Sequence, residues 1–145
     1  MSIFPTKIVL ATDGSREAEL AARTAADLAH KTDSELHVLH VLASPLATHD
    51  PSSFEPEVWA RLEQRERTTL ENVVGKIEAS GGEVEGSHYT AGRPATEIVA
   101  LAEQIGAGLI VMGARGVGGI RRALTGSVSD SVLRHAHCPV LVVRE

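Results

Sequence analysis

Apolar and polar residues follow two patterns that alternate along the chain. Short runs of consecutive apolar residues, typical of strands covered on both faces of a parallel sheet, are separated by longer segments with apolar residues every three or four positions, as in amphipathic helices. The predicted strands are Lys7–Thr12, Glu35–Leu42, Glu83–Tyr89, Gly108–Met112 and Pro139–Val143. The third has little apolar content, which favours a position at an edge of the sheet.

Four helices are predicted between these strands, at about 16–30, 56–80, 94–105 and 127–135. Pro56 and Pro94 suit first helical positions, and Gly81 and Gly106 suit the positions just after a helix. In the first helix, Leu20, Thr24 and Leu28 are predicted to share one face, with alanines between them.

The βαβαβαβαβ order predicts one α/β domain over residues 1–145, built on an open five-stranded parallel sheet with helices on both faces. Right-handed crossovers favour the Rossmann-like strand order 3-2-1-4-5. The winding then reverses between strands 1 and 4, and ligands of such sheets bind outside the carboxyl ends of the strands at that switch point. We therefore expect Asp13 and Gly113 to lie beside each other there.

Composition narrows the function classes. A net charge of −5 and an aromatic content of 3% argue against a nucleic-acid binder. No stretch approaches the ~20 apolar residues of a membrane span and no signal-peptide pattern is visible, so we expect a cytoplasmic protein without a membrane partner. The single cysteine, Cys138, excludes an internal disulfide and is interpreted as a small buried hydrophobe.

A glycine-rich segment follows the fourth strand and carries the candidate chemistry. Gly113, Gly116 and Gly126 allow close backbone approach to a ligand, and Ser127 and Ser129 offer hydroxyl donors at a helix start, where anions bind well. Positive charge comes from Arg115, Arg121 and Arg122. The spacing and the position at the switch point indicate a nucleotide phosphate site. The alternative interpretation is a flexible connector with an ordinary serine cap.

Two other nucleotide motifs do not fit. The chain has no Gly-Lys-Ser/Thr, so the segment is not a Walker-type P-loop. The dinucleotide fingerprint is incomplete because Arg121 stands where its last glycine is required, and because the glycines follow the fourth strand rather than the first.

The chain resembles the universal stress proteins of the single-domain type. The family's signature of Gly, two residues, Gly, nine residues and Gly-Ser/Thr is matched by Gly113, Gly116, Gly126 and Ser127. Three further stretches resemble the family: Ile8–Ser15, Leu109–Gly113 and His137–Val143. One departure is Gly108, where the family often has Asp; it precedes the strand and is not expected to touch the ligand.

The resemblance implies ATP binding and homodimers. Carried over by position, the residues that would line the nucleotide are Asp13, Val41, Met112, Gly113, Gly116, Gly126, Ser127, Val128 and Ser129. Asp13 would meet the ribose or adenine side, Val41 would meet adenine through its backbone, and the others would line the ribose and phosphates. Asp13 also has a simpler interpretation as a turn residue or helix cap.

Three functions are compatible with these features. The first is a regulatory stress-response module that holds ATP, acts as a homodimer on an unidentified protein partner, and is not primarily a catalyst. The second is a slow ATP hydrolase, with Mg²⁺ bridging the phosphates and Asp13 as metal ligand or base. The third, a ligand-free dimeric interaction protein, leaves the intact glycine signature without a role.

Three further predictions concern the edge strand of the sheet and the histidines. Pro139–Val143 is apolar throughout and lies at an edge in the order 3-2-1-4-5, so we expect it to pair with the same strand of a second copy. His37 and His40 are three apart on a strand and therefore point to opposite faces, which disfavours a shared metal. His135 and His137 are interpreted as partners of a helix end.

Overall fold

The computed structural model describes residues 2–42, 55–114 and 126–145. The strands are β1 (Lys7–Thr12), β2 (Glu35–Leu42), β3 (Gly86–Ala91), β4 (Leu109–Gly113) and β5 (Val140–Val143). The helices are α1 (Arg16–Thr32), α2 (Pro56–Ala79), α3 (Pro94–Ile105) and α4 (Ser127–His135). None of these helices is long and apolar enough to span a membrane.

The five strands form one parallel sheet in the order β3-β2-β1-β4-β5, which confirms the predicted topology. The central strand, β1, pairs with β2 as far as Thr12↔His40 and with β4 as far as Ala11↔Met112. Its two neighbours continue beyond these pairs. The carboxyl edge of the sheet therefore has a recess at the end of β1, flanked by β2 and β4.

Apolar side chains fill both faces of the sheet. Alternate residues of a strand point to opposite faces, so Leu10 packs among the side chains of α1 and α2, whereas Val9 packs among those of α3 and α4. Both are fully buried. The consecutive apolar residues of the predicted strands are thus explained by two helical layers, one on each face.

The first helix packs on the sheet mainly through small side chains. Its buried residues are Glu17 and the alanines Ala18, Ala21, Ala22, Ala25 and Ala29, whereas Leu20, Thr24 and Leu28 are only half-buried. Small side chains let α1 approach the sheet closely. A Cβ built on Gly113 would lie 3.1 Å from the backbone carbonyl carbon of Glu17. The start of α1 therefore passes directly over the end of β4.

The third strand lies at the sheet edge, as predicted, but it begins and ends later than predicted. It spans Gly86–Ala91 rather than Glu83–Tyr89 and pairs with β2 from His37↔Gly86 to Leu42↔Ala91. With so few apolar residues, its position is determined by pairing with β2 rather than by a pattern of its own. Smaller shifts occur in β4, which includes Gly113, and in β5, which starts after Pro139.

Candidate functional site

The junction between β1 and α1 satisfies its own polar groups. Asp13 Oδ1 accepts the N–H of Ser15 at 2.9 Å, and the N–H of Gly14 donates to Thr12 Oγ1 at 3.3 Å. Ser15 then caps α1 by accepting the N–H of Ala18 at 3.2 Å. Gly14 has φ +79°, a conformation that side chains disfavour, which explains the glycine. Asp13 is thus a turn residue here, whatever else it binds.

Acidic residues occupy the first turn of α1. Glu17 is 6% exposed, and Glu19 pairs with Lys76 of α2. The hydrogen bond from Lys76 and its positive charge lower the pKa of the Glu19 carboxyl. Carboxylates near a helix N-terminus already interact with the positive end of the helix dipole. The start of α1 is therefore a poor place for a phosphate.

The junction between β4 and α4 joins the two ends of the glycine-rich segment. The N–H of Ala114 donates to the carbonyl of Val143 at 2.9 Å, and the N–H of Gly126 donates to the carbonyl of Ala114 at 2.6 Å. The hydroxyl of Ser129, in a residue only 1% exposed, lies 3.0 Å from the carbonyl oxygens of both Ala114 and Gly126. These bonds hold residues 113–114 and 126–129 together.

The start of α4 has a different character from that of α1. Gly126 is the N-cap and supplies no side-chain hydrogen bond. The N–H of Asp130 donates to the carbonyl of Gly126, four residues earlier, and this bond begins the helical pattern. The N–H groups of Ser127, Val128 and Ser129 precede that position, where a helix leaves its donors without carbonyl partners of its own. This geometry suits an anion.

The two predicted serines of α4 point in different directions. Residues two apart on a helix are separated by about 200° around its axis. Ser127 is exposed, whereas Ser129 is buried and its hydroxyl donates inward. The hydroxyl of Ser127 is therefore the one available to a ligand in this geometry, and Ser129 holds the junction.

The remaining predicted site residues lie along the same edge. Val41 and Gly113 each stand one residue beyond the last registered pair with β1, so they flank its end. Met112 is 5% exposed and its side chain packs in the core, which leaves its backbone for any ligand contact. Gly116 lies outside the described residues. The sheet thus brings Asp13, Val41 and Gly113 to one recess.

A buried histidine at this recess was missed as a functional candidate. His40 is 3% exposed; its Nδ1 lies 2.7 Å from the carbonyl oxygen of Thr12, and its Nε2 contacts Glu66 Oε2 on α2. The sequence carries a signal, because a polar residue among the apolar residues of a buried strand needs a partner. Strand periodicity alone could not show that the partner is the end of β1.

His37 lies on the opposite face, as predicted. Its Nδ1 is 3.1 Å from Nε2 of His88 on β3. Burial, followed by the charge of His37, lowers the pKa of His88. Within residues 2–42, 55–114 and 126–145, no group of three His, Cys, Asp or Glu side chains is arranged to hold a metal ion.

A cleft of about 890 Å³ runs between α1 and α2. Its apolar floor includes Val73 and Ile77, and ionic groups such as Glu19 and Lys76 lie along it. Of the turn that follows β1, the described residue that lines this cleft is Gly14. The cleft is therefore a separate feature from the strand-end recess that the topology singles out.

Comparison with known proteins places this architecture in a family. The universal stress protein family matches residues 5–144. A universal stress protein of Methanocaldococcus jannaschii is 37% identical over 139 residues, covering 96% of this chain and 82% of the relative. The structure of the Lactobacillus plantarum universal stress protein UspA superposes with a TM-score of 0.82 at 26% identity, covering 99% of this chain and 100% of that one.

One similar structure contains a nucleotide. A universal stress protein of Archaeoglobus fulgidus, solved in complex with dAMP, is 28% identical to this chain, with a TM-score of 0.68 and coverage of 97% and 99% of the two chains. The family match over nearly the whole chain, the shared fold and the level of identity agree. The chain belongs to the universal stress protein family.

Proposed function

We propose that this universal stress protein binds ATP at the carboxyl edge of its sheet and acts in the cytoplasm as a nucleotide-loaded regulatory module of the stress response. The observation that carries the proposal is the junction at which Ser129 bonds the carbonyls of Ala114 and Gly126. This junction holds the two ends of the glycine signature together at the start of α4. The dAMP complex of the Archaeoglobus relative supports a nucleotide as the class of ligand.

The phosphates are assigned to the start of α4. There the N–H groups of Ser127, Val128 and Ser129 and the exposed hydroxyl of Ser127 converge on an uncapped helix end. Glycine at position 126 leaves room for close approach. Gly116 is proposed to do the same within the segment between the junction residues.

The nucleoside is assigned to the recess at the end of β1. Val41 extends past the last pair with β1, so its backbone can meet the adenine, and Asp13 lies at the ribose side. The backbone of Met112 and Gly113 forms the wall between the nucleoside and the phosphates. Nucleoside and phosphates thus meet different strands of the switch point.

Calorimetric titration with ATP tests this function directly. We expect binding in the millimolar range or tighter, and we expect mass spectrometry of freshly purified protein to detect an adenine nucleotide. A titration without heat at several times the cellular ATP concentration, together with nucleotide-free protein, would overturn the proposal.

A slow ATP hydrolase is the second candidate, because Asp13 places a carboxylate at the end of a central strand. Mg²⁺ bridging the phosphates would then be oriented by this carboxylate. Asp13→Asn keeps the oxygen that accepts the Ser15 N–H but removes the charge. Loss of turnover in this variant, with turnover retained in Asp27→Asn on the exposed side of α1, would support hydrolysis. Undetectable turnover in the wild type would exclude the hydrolase and leave the regulatory role as the remaining candidate.

A homodimer through β5 is the assembly we propose. The carbonyls of Pro139 and Val143 face β4, because they accept the N–H groups of Ile110 and Ala114, respectively. In a parallel pair, every second residue of a strand faces the same neighbour. In a parallel pair this alternation turns the backbone groups of Val140 and Val142 away from β4, towards the open edge. All four residues of β5 are half-buried. A second β5 would satisfy these groups and cover the apolar edge.

Val142→Pro tests the interface because it removes one outward N–H without touching the β4 ladder. Light scattering at tens of micromolar should give a dimer for the wild type and for the control Val142→Thr, and a monomer for the proline variant. A wild-type mass near 15.4 kDa would refute the dimer. A dimer that persists in the proline variant would move the interface elsewhere.

A further inference from the structure

A buried contact between a histidine and a carboxylate connects the recess with α2. His40 contacts the carbonyl of Thr12 through Nδ1 and the carboxylate of Glu66 through Nε2. Thr12 is the residue before Asp13, so the carbonyl held by His40 belongs to the peptide that leads into the candidate nucleotide turn. The Glu66 side chain is 22% exposed and the His40 side chain 3%, so water competes weakly for these bonds.

The geometry determines where protons must lie. A carbonyl oxygen only accepts, so Nδ1 of His40 carries a proton. Nε2 faces a carboxylate, and the contact is attractive only if a second proton lies between them. The two contacts therefore engage both ring nitrogens of His40 and fix the orientation of the imidazole.

A second contact joins the same turn to the same face of α2. A Cβ built on Gly14 would come within 2.8 Å of Thr69 Cγ2. Glu66 and Thr69 are three apart on α2 and therefore adjacent on its surface. The helix thus meets the Thr12–Gly14 turn at two neighbouring positions, one polar and one steric.

We propose that His40 is a positioning residue for nucleotide binding: held by Glu66, it fixes the Thr12 carbonyl and so orients the Asp13 turn toward the ligand. The proposal rests on the ATP-binding function proposed above. It assigns α2 to the nucleotide site, although α2 contributes no residue to the glycine signature. His40 touches no ligand itself and acts through Thr12 and Asp13.

Tyr89 of β3 lies beside the histidine, with its ring centroid 6.4 Å from that of His40. Arg67 of α2 lies over the Tyr89 ring, 4.4 Å from its centroid. Burial, followed by the charge of Glu63, raises the pKa of Tyr89. The side chains of α2 and β3 thus pack together on this side of His40.

Substitution of His40 tests the positioning role. His40→Leu removes both bonds, and His40→Asn restores only a donor toward Thr12. We expect the ATP dissociation constant to rise about tenfold in the leucine variant and to recover in large part in the asparagine variant. The control is His37→Leu, which removes a similarly buried histidine from the opposite face of β2. Equal losses in the His37 and His40 variants would refute positioning.

Substitution of Glu66 tests the anchor on α2. Glu66→Leu removes the partner of His40 Nε2 and should weaken ATP binding about as much as His40→Leu does, whereas Glu66→Gln keeps a hydrogen-bonding partner and should retain most of the affinity. Glu63→Leu, three residues earlier on α2 and bonded to Trp59, is the control and should leave ATP binding unchanged. Unchanged ATP binding in Glu66→Leu would contradict the anchoring of His40 by α2.

Amide hydrogen exchange separates failure of this proposal from failure of ATP binding. In protein without added nucleotide, His40→Leu should speed exchange at Gly14 and Ser15 at least tenfold, while His37→Leu leaves these amides unchanged. If the wild type binds no ATP but this pattern holds, the positioning of the turn stands and the proposed function fails. If ATP binds and exchange at Gly14 and Ser15 is unaffected, His40 does not position the turn.

Discussion

The two helix starts at the switch point of the sheet differ in how their free N–H groups are used. At α1, Ser15 caps the helix and acidic side chains fill the first turn. At α4, the cap is Gly126, which has no side chain, and Ser127 is exposed. A side chain thus caps one of the first N–H groups at α1, whereas no side-chain cap is present at Gly126. This contrast supports the proposal that the phosphates bind at the start of α4 and the nucleoside at the end of β1.

The largest expected effect comes from placing a side chain at Gly126, the residue before α4. Gly126 has φ −82° and ψ 171°, a conformation that valine adopts without strain, so Gly126→Val should fold. Its branched side chain would occupy the space assigned to the phosphates. We expect calorimetry to detect no ATP binding. Gly75→Val is the control, because a Cβ at Gly75 meets no atom within 4 Å. Unchanged ATP affinity in Gly126→Val would exclude the start of α4 as the phosphate site.

A smaller effect is expected from removing one hydroxyl at the same start. Ser127→Ala should weaken ATP binding by about tenfold, since a hydrogen bond to a charged group contributes about 1.5–3 kcal/mol. Adenosine binding should be nearly unchanged. Ser131→Ala, one turn further along α4, serves as the control. Equal losses for ATP and adenosine would show that Ser127 contacts the nucleoside or acts through the fold.

Ser129→Ala tests whether Ser129 stabilises the junction between β4 and α4 or contacts the ligand. This buried hydroxyl lies 3.0 Å from the carbonyl oxygens of Ala114 and Gly126, and a typical intramolecular hydrogen bond contributes about 0.5–1.5 kcal/mol. We therefore expect a lower free energy of unfolding in urea, together with weaker ATP binding because the signature ends are no longer held. Weaker binding with unchanged stability would mean that Ser129 contacts the ligand rather than the junction.

The smallest expected effect comes from the capped start. Ser15→Ala removes the acceptor for the Ala18 N–H and should lower the free energy of unfolding by about 1 kcal/mol. ATP affinity should stay within twofold of the wild type, because the cap faces its own helix. Chemical denaturation and calorimetry on the same sample measure both. A loss of ATP affinity as large as that of Ser127→Ala would remove the contrast between the two starts.

The fold was predictable because β1, β2 and β4 are apolar enough to be recognised and their order allows few topologies. The bounds of β3 were not predictable, because GSHYTA carries little periodicity and is aligned by pairing with β2. The burial of the α1 alanines was not predicted either, because close approach to the sheet favours small side chains over larger ones such as Leu20 and Leu28.

For the candidate site, topology predicted that Asp13 and Gly113 lie together at the carboxyl edge of the sheet, where the structure places them. Contact of these residues and of the start of α4 with a nucleotide stays a prediction. Residue type did not distinguish the two serines of α4, whereas helix geometry turns the hydroxyl of Ser129 inward. The contact between His40 and Thr12 could not be predicted either, because it joins two strands 28 residues apart through one side chain.

The most direct test of the account is a comparison of amide chemical shifts on titration with ATP and with adenosine. The difference between the two titrations reports the phosphates alone. We predict that this difference is concentrated at the N–H groups of Ser127, Val128 and Ser129 and is small at Ala18 and Glu19 of α1. A difference as large at α1 as at α4 would contradict the assignment of the phosphates to the uncapped helix start.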